Sequence, residues 1–203
     1  TNVESLPFNS DNYNVAHPAL NVEETKLYFT SDMPGSIGGS DIFFVDINSD
    51  GSFGSPKNLG SKINTEGREN FPFVSDNGTL YFSSDSHIGL GGLDVFMIKD
   101  EKIINVGKPI NSPRDDFGYI INENSLKGYV TSNRPGGVGD DDIYSFKRNP
   151  CKKDFTGNIL DKSTLEIISD ADLTIYNKDN NAIDKLKSDE NGMFFYQLPC
   201  NDQ

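Results

Sequence analysis

Residues 83–94 read SSDSHIGLGGLD, a histidine and two aspartates set among three glycines. Residue types at this spacing could cradle a phosphate, hold a metal ion, or turn the chain between two strands. Gly89, Gly91 and Gly92 do not make the G-x-G-x-x-G of a dinucleotide loop, and no G-K-[ST] follows as a P-loop requires. A second stretch, DINSDGSFG at 46–54, sets Asp46, Asn48 and Asp50 at the alternate positions that begin a calcium loop. Its twelfth position is Lys57, where the bidentate glutamate of an EF-hand would stand. GDDDI at 139–143 gathers Asp140, Asp141 and Asp142 into a third oxygen-rich segment, with Arg114 and Arg134 near enough in sequence to balance its charge. For both acidic stretches a turn or solvated loop is the favoured reading, and calcium the alternative. Nucleophilic catalysis needs a base beside the nucleophile. The chain has only His17 and His87, and no G-x-S-x-G elbow. Paired carboxylates alone could hydrolyse glycosides, but no pair stands out from the many aspartates. The expectation is therefore no catalytic residue and no cofactor.

The glycine stretch recurs. TSDMPGSIGGSDIFFV at 30–45, SSDSHIGLGGLDVFMI at 83–98 and TSNRPGGVGDDDIYSF at 131–146 align without a gap. The serine of the unit falls at Ser31, Ser84 and Ser132, and its closing aspartate at Asp41, Asp94 and Asp142. Upstream stand KLYFTS, TLYFSS and KGYVTS, preceded by HPAL, FPFV and FGYI, and before those by FNSDNYN, INTEGREN and INSPRDDF. The period is 53 and then 48 residues, the difference falling after the third strand. A loop repeated at one offset is a structural turn. Its glycines are expected to supply positive φ, and its aspartate to accept hydrogen bonds from loop N–H groups or the serine hydroxyl. His87 occurs in one copy only and is expected to be solvated. His17, in the slot of Phe71 and Phe117, is assigned to the blade core or the axial surface.

Each unit reads as four strands: a short apolar segment, a turn such as Asn77-Gly78, an alternating strand, the glycine loop, a third strand and a weaker fourth. No segment has helical apolar spacing over three turns. Four strands per ~50 residues, repeated, are the mark of propeller blades. The 203 residues suffice for one sizeable domain or two small ones, and the formal charge of −13 disfavours nucleic acid and anionic lipid as partners. No apolar run approaches the ~20 residues of a membrane helix.

The three units resemble the PD40, or WD40-like, β-propeller repeats related to those of TolB, whose signature runs S-D-x-x-G-x-x-D-I-Y. SDMPGSIGGSDIFF and SNRPGGVGDDDIYSF match the longer-loop version found in OmpA-family outer-membrane proteins of Bacteroidota. Downstream, FTGNILDKST, DADLTIYNKDNN and SDENGMFFYQLP resemble the carboxypeptidase regulatory-like domain, a small transthyretin-like β-sandwich without catalytic residues of its own. Ile159, Ile175 and Ser188 depart from its usual valine, leucine and threonine. The resemblance implies an all-β chain: propeller blades over 1–149 (about 8–60, 61–108 and 109–148), then an incomplete sandwich over 150–203.

Propeller followed by sandwich is similar to the PorE-type components of type IX secretion. That similarity implies a non-catalytic periplasmic scaffold, associated with the outer membrane and binding proteins of a cell-envelope complex. Peptidoglycan would then be reached only through a further OmpA-like domain. A carbohydrate- or peptide-binding propeller module is the alternative. Three blades cannot close a ring, so the chain is expected to be cut at both ends, with partner blades coming from the same protein or another copy. Cys151 and Cys200 bracket the sandwich. They form either a bridge, which implies an oxidising compartment, or two unpaired thiols.

Overall fold

The computed structural model describes residues 2–150 and 152–199. The chain is all-β, with no α-helix among the described residues, and divides into two units at Arg148/Asn149. The first unit carries three blades. Blade 1 consists of β1 (Val15–Leu20), β2 (Lys26–Ser31), β3 (Asp41–Asp46) and β4 (Lys57–Asn58), antiparallel neighbours in chain order. Blade 2 repeats it with β5 (Glu69–Val74), β6 (Leu80–Ser84), β7 (Asp94–Lys99) and β8 (Lys102–Asn105). Blade 3 has β9 (Asp116–Asn122), β10 (Lys127–Ser132) and β11 (Asp142–Lys147). It has no fourth strand among the described residues, which corrects the expectation of three four-stranded blades. Only residues 148–151 separate β11 from the next strand, too few to turn back and pair.

Blades form here because each β2-type strand is apolar on both faces. Leu80, Tyr81 and Phe82 of β6 are all buried. Phe82 joins Ile42 of blade 1 and Phe96 in one apolar cluster, while Tyr81 joins Tyr119, Ile121 and Val130 of blade 3 in another. A strand with neighbours on both sides tolerates no polar alternation, and each such ring or branched chain removed from water contributes ~1.5–3 kcal/mol. A third cluster holds Phe29, Phe43 and Val45 of blade 1 under Phe8, whose ring stacks on Phe29 with centroids 4.9 Å apart.

The innermost strand of each blade bulges once. Registers slip between Ala16 and Ala19 in β1, and between Asn70 and Phe73 in β5. In β9 the slip lies opposite Tyr129–Thr131. The bulged residues have φ of +54° at His17, +53° at Phe71 and +60° at Gly118. Positive φ is costly for a bulky side chain, so the bulge is a built feature rather than slack. It also shows that HPAL and FPFV correspond to GYII at 118–121, one residue later than FGYI. Val74 pairs with Leu80 across a shorter hairpin than the one that pairs Ile121 with Gly128. Leu20 pairs with Leu27 across the same longer hairpin in blade 1, so the bulge, and not the turn length, marks the common register.

The second unit, Asn149–Gln203, holds two antiparallel ribbons. β12 (Lys152–Asn158) pairs with β15 (Met193–Pro199), and β13 (Asp172–Tyr176) with β14 (Ala182–Lys187). Its described residues include no buried apolar side chain; Phe155, Leu165, Tyr176 and Phe195 are all more than half exposed.

Candidate functional site

The repeated carboxylates face their own loops. Asp41 accepts from the N–H groups of Ile37 (2.8 Å) and Gly38 (3.1 Å), and from the Asn58 amide at 2.5 Å. Asp94 accepts from Leu90 and Gly91 (2.7 and 2.9 Å), and Asp142 from Val138 and Gly139 (2.8 and 3.1 Å). The repeated serines bond elsewhere: Ser31 donates to the Asn14 carbonyl, Ser84 to Glu69, and Ser132 accepts from Arg134. Asp94 leaves one oxygen buried without a partner.

The loop glycines serve a different need from the one expected. Only Gly35 and Gly136 have positive φ. Gly38 and Gly91 are glycines because the next blade lies against them: a Cβ would sit 2.3 Å from the Thr65 carbonyl oxygen, or 2.1 Å from that of Arg114. Close approach of backbone to backbone, rather than a turn conformation, requires them. Gly139 holds the same position in blade 3, and its nearest neighbours are its own loop residues Asp141 and Asp142.

What locks one blade to the next is an asparagine. Asn64 accepts from the Ile42 N–H (2.8 Å) and donates to the Ile42 carbonyl (3.0 Å), clamping the outer edge of β3. Asn111 does the same to Val95 of β7, at 2.8 Å in both directions. Each also donates to the asparagine of the fourth strand, Asn58 or Asn105. Two buried carboxylates brace, within their own blades, the segments that carry these asparagines. Glu69 accepts from Ser84 and from Thr65, and Asp116 pairs with Arg134 at 2.5 Å. None of Asn64, Glu69, Asn111 and Asp116 stands out as a site residue in the sequence. The one available signal is the repeated Ile-Asn of INTEGREN and INSPRDDF.

The calcium candidates do not converge. Asp46 lies between Lys26 and Lys57 (2.5 and 2.7 Å), and those two ammonium groups hold its carboxyl down to about 2. Asn48 and Asp50 both bond Ser52 inside a hairpin whose Gly51 has φ of +82°. Asp140 and Asp141 are exposed. Arg134 does not balance them, because its guanidinium is spent on Asp116 and on the Pro109 and Ile110 carbonyls. No cluster of three metal-ligating side chains occurs among the described residues. His87, expected in solvent, is half-buried; its Nε2 lies 2.7 Å from the Ile63 carbonyl and its ring leans on Phe96. Cys151 and Cys200 lie outside the described residues.

Two surfaces remain. Along the inner strands, His17, Phe71 and Phe117 stack in series with centroids 4.0 and 4.9 Å apart. Beside them Pro18, Leu20, Pro72 and Ile120 line a groove of ≈ 350 Å³. Burial pushes the His17 imidazole down from its ordinary value, and its Nδ1 is buried without a partner. The second surface is the far side of blade 3, where Tyr129 and Ile143 are 53% and 75% exposed. Their equivalents Tyr81 and Val95, at 2% and 0%, are covered by blade 3 itself.

No family model matches the chain, and no curated protein matches it. Among solved structures it is similar to puromycin hydrolase. The S511A mutant complexed with PGG aligns at 8% identity with a TM-score of 0.39, over 66% of this chain and 27% of that one. A second puromycin hydrolase structure aligns at 8% identity and a TM-score of 0.35, over 59% and 25%. The chain thus spans about a quarter of the length of those structures, and a likeness of this size assigns neither family nor activity.

Proposed function

We propose that the chain is a non-catalytic scaffold module of the cell envelope, exported to the periplasm, associated with the outer membrane and binding protein partners. The repeat's resemblance to PD40 blades of OmpA-family proteins suggests a place in type IX secretion, where a linked domain would reach the cell wall. One observation carries the non-catalytic part: the recurring carboxylates Asp41, Asp94 and Asp142 are engaged by their own loops, and Glu69 and Asp116 by Thr65, Ser84 and Arg134 of their own blades. A carboxylate turned into its own loop does not reach a substrate proton, and that reach is the first requirement of a general base.

Fractionation of cells carrying the tagged full-length gene tests the reading, together with hydrolase assays of the purified chain. The protein should co-sediment with the outer membrane and peptidoglycan, and its deletion should block secretion. Cytoplasmic recovery would overturn the scaffold reading, as would turnover of peptide or glycoside substrates abolished by an aspartate-to-asparagine change.

A further inference from the structure

We propose that the free edge of β11 and the cavity beside it bind an extended peptide, which adds to blade 3 as a fourth, antiparallel strand. The site goes beyond the scaffold reading and stands whichever compartment the protein occupies. Three observations define it.

The first is the edge. β3 and β7 pair outward with β4 and β8, whereas β11 pairs only with β10 among the described residues. The N–H groups that β7 turns outward include that of Val95, held by Asn111. By the two-residue alternation of an antiparallel strand, Ile143, Ser145 and Lys147 turn theirs outward from β11. Such a row is a template for strand addition, with backbone bonds giving affinity and a pocket for alternate side chains giving selectivity.

The second is the cavity. Between blades 1 and 2, Ile98 of β7 and its partner Ile103 of β8 pack against Phe82, Phe96 and Ile42. Phe146 takes the place of Ile98 in blade 3, and no described residue stands where Ile103 would. A cavity of ≈ 340 Å³ opens there, lined by Tyr81, Met97, Ile104, Val106, Tyr119 and Phe146. Asn105, Lys108, Lys147 and Arg148 add polar groups to this mainly apolar lining. Burial, with Glu123 beside it, pushes the Tyr81 hydroxyl up to about 12, so that group stays neutral.

The third is the register, which specifies the occupant. In blade 2, Ile98 faces Ile103 and Phe96 faces Asn105. Transferred to β11, a β-branched apolar residue faces Phe146 and enters the cavity, and an asparagine two residues later faces Tyr144. The ligand is thus an extended segment of apolar–apolar–Asn character, resembling Ile103-Ile104-Asn105.

A labelled peptide copying residues 100–111, DEKIINVGKPIN, is the probe, titrated into the 203-residue chain by fluorescence anisotropy. Saturable binding is expected, weakened about tenfold or more by Ile103→Asp in the peptide. Ile104→Trp in the protein, which fills the cavity, should weaken it to the same extent. Ser145→Pro removes an outward N–H without touching the β10 ladder, and should abolish binding while leaving the melting temperature near that of the parent. If Ile104→Trp fails to fold, Ser145→Pro decides alone. Equal affinity for both peptides, binding indifferent to Ser145→Pro, or no binding at about 1 mM peptide would overturn the site. So would a stable dimer that buries β11 against a second copy.

Discussion

Blades 2 and 3 are built from the same repeat, yet one is enclosed and the other open. Tyr81 and Tyr129 occupy one repeat position; the first is 2% exposed and the second 53%. Val95 and Ile143 occupy another, at 0% and 75%. The side chains are alike, so the difference comes from what lies against them: blade 3 covers blade 2, and no described residue covers blade 3 in the same way. A repeat therefore specifies a joint rather than a core. Each joint needs a glycine and an apolar face on one blade, and an asparagine clamp from the next.

The comparison breaks most easily at the paired tyrosines. Tyr81→Ala should cost ~3–5 kcal/mol, as truncating a buried ring does, and it also removes the bond to Glu123. Tyr129→Ala should change stability by no more than ~0.5 kcal/mol. Urea unfolding of the two variants checks this, and equal losses would mean that blade 3 is covered in solution.

The second unit offers the next largest effect. With no buried apolar side chain among its described residues, it needs another source of stability. The last described pair of the β12–β15 ladder is Lys152 with Pro199; in sequence Cys151 precedes the first and Cys200 follows the second. A bridge would close a loop of about 50 residues and contribute on the order of 3–4 kcal/mol. A thiol titration of unfolded, unreduced protein should find no free thiol. Two per chain would remove the bridge and weaken the case for export.

Smaller losses should follow at the clamp. Asn111→Ala leaves the buried Val95 N–H without its partner and the Val95 carbonyl with the Val106 N–H alone, at a cost of ~1–3 kcal/mol. Asn9 precedes β1 as Asn111 precedes β9, but it is exposed and its side-chain amide donates to Ser5 instead of clamping a strand. Asn9→Ala should be close to neutral in the same assay. The smallest effect is one of pH. The Asp46 carboxyl is depressed from 3.8 to about 2 by Lys26 and Lys57. Its contribution to stability is complete above pH 3.8 and is lost as pH falls through about 2. Following that carboxyl by NMR tests the shift, and a midpoint near 3.8 would show that the lysines do not hold it in solution.

The blades were legible in the sequence because their signals are local: hairpin turns, strands apolar on alternate or both faces, and a loop closed by its own aspartate. The joints were not. The Ile42–Asn64 and Val95–Asn111 clamps span 22 and 16 residues, so no single period marks them. Gly38 and Gly91 look like turn glycines until the neighbouring backbone is in place. The register of β9 is hidden because FGYI resembles FPFV more than GYII does, and only the bulge at Gly118 reveals the shift of one residue. Blade 3's missing strand was hidden for a related reason, since the repeat pattern ends in β11 and the residues after it carry no repeat signal.

Amide hydrogen exchange resolved residue by residue tests the openness of blade 3 most directly. In the isolated chain, Val95, Met97 and Lys99 should exchange slowly, protected by β8 and the Asn111 clamp. Ile143, Ser145 and Lys147 should exchange at rates near those of unstructured chain, while the inward amides of β11 stay protected by β10. Equal protection of the outward amides in β7 and β11 would contradict the account, because it would mean that a fourth strand already covers the edge.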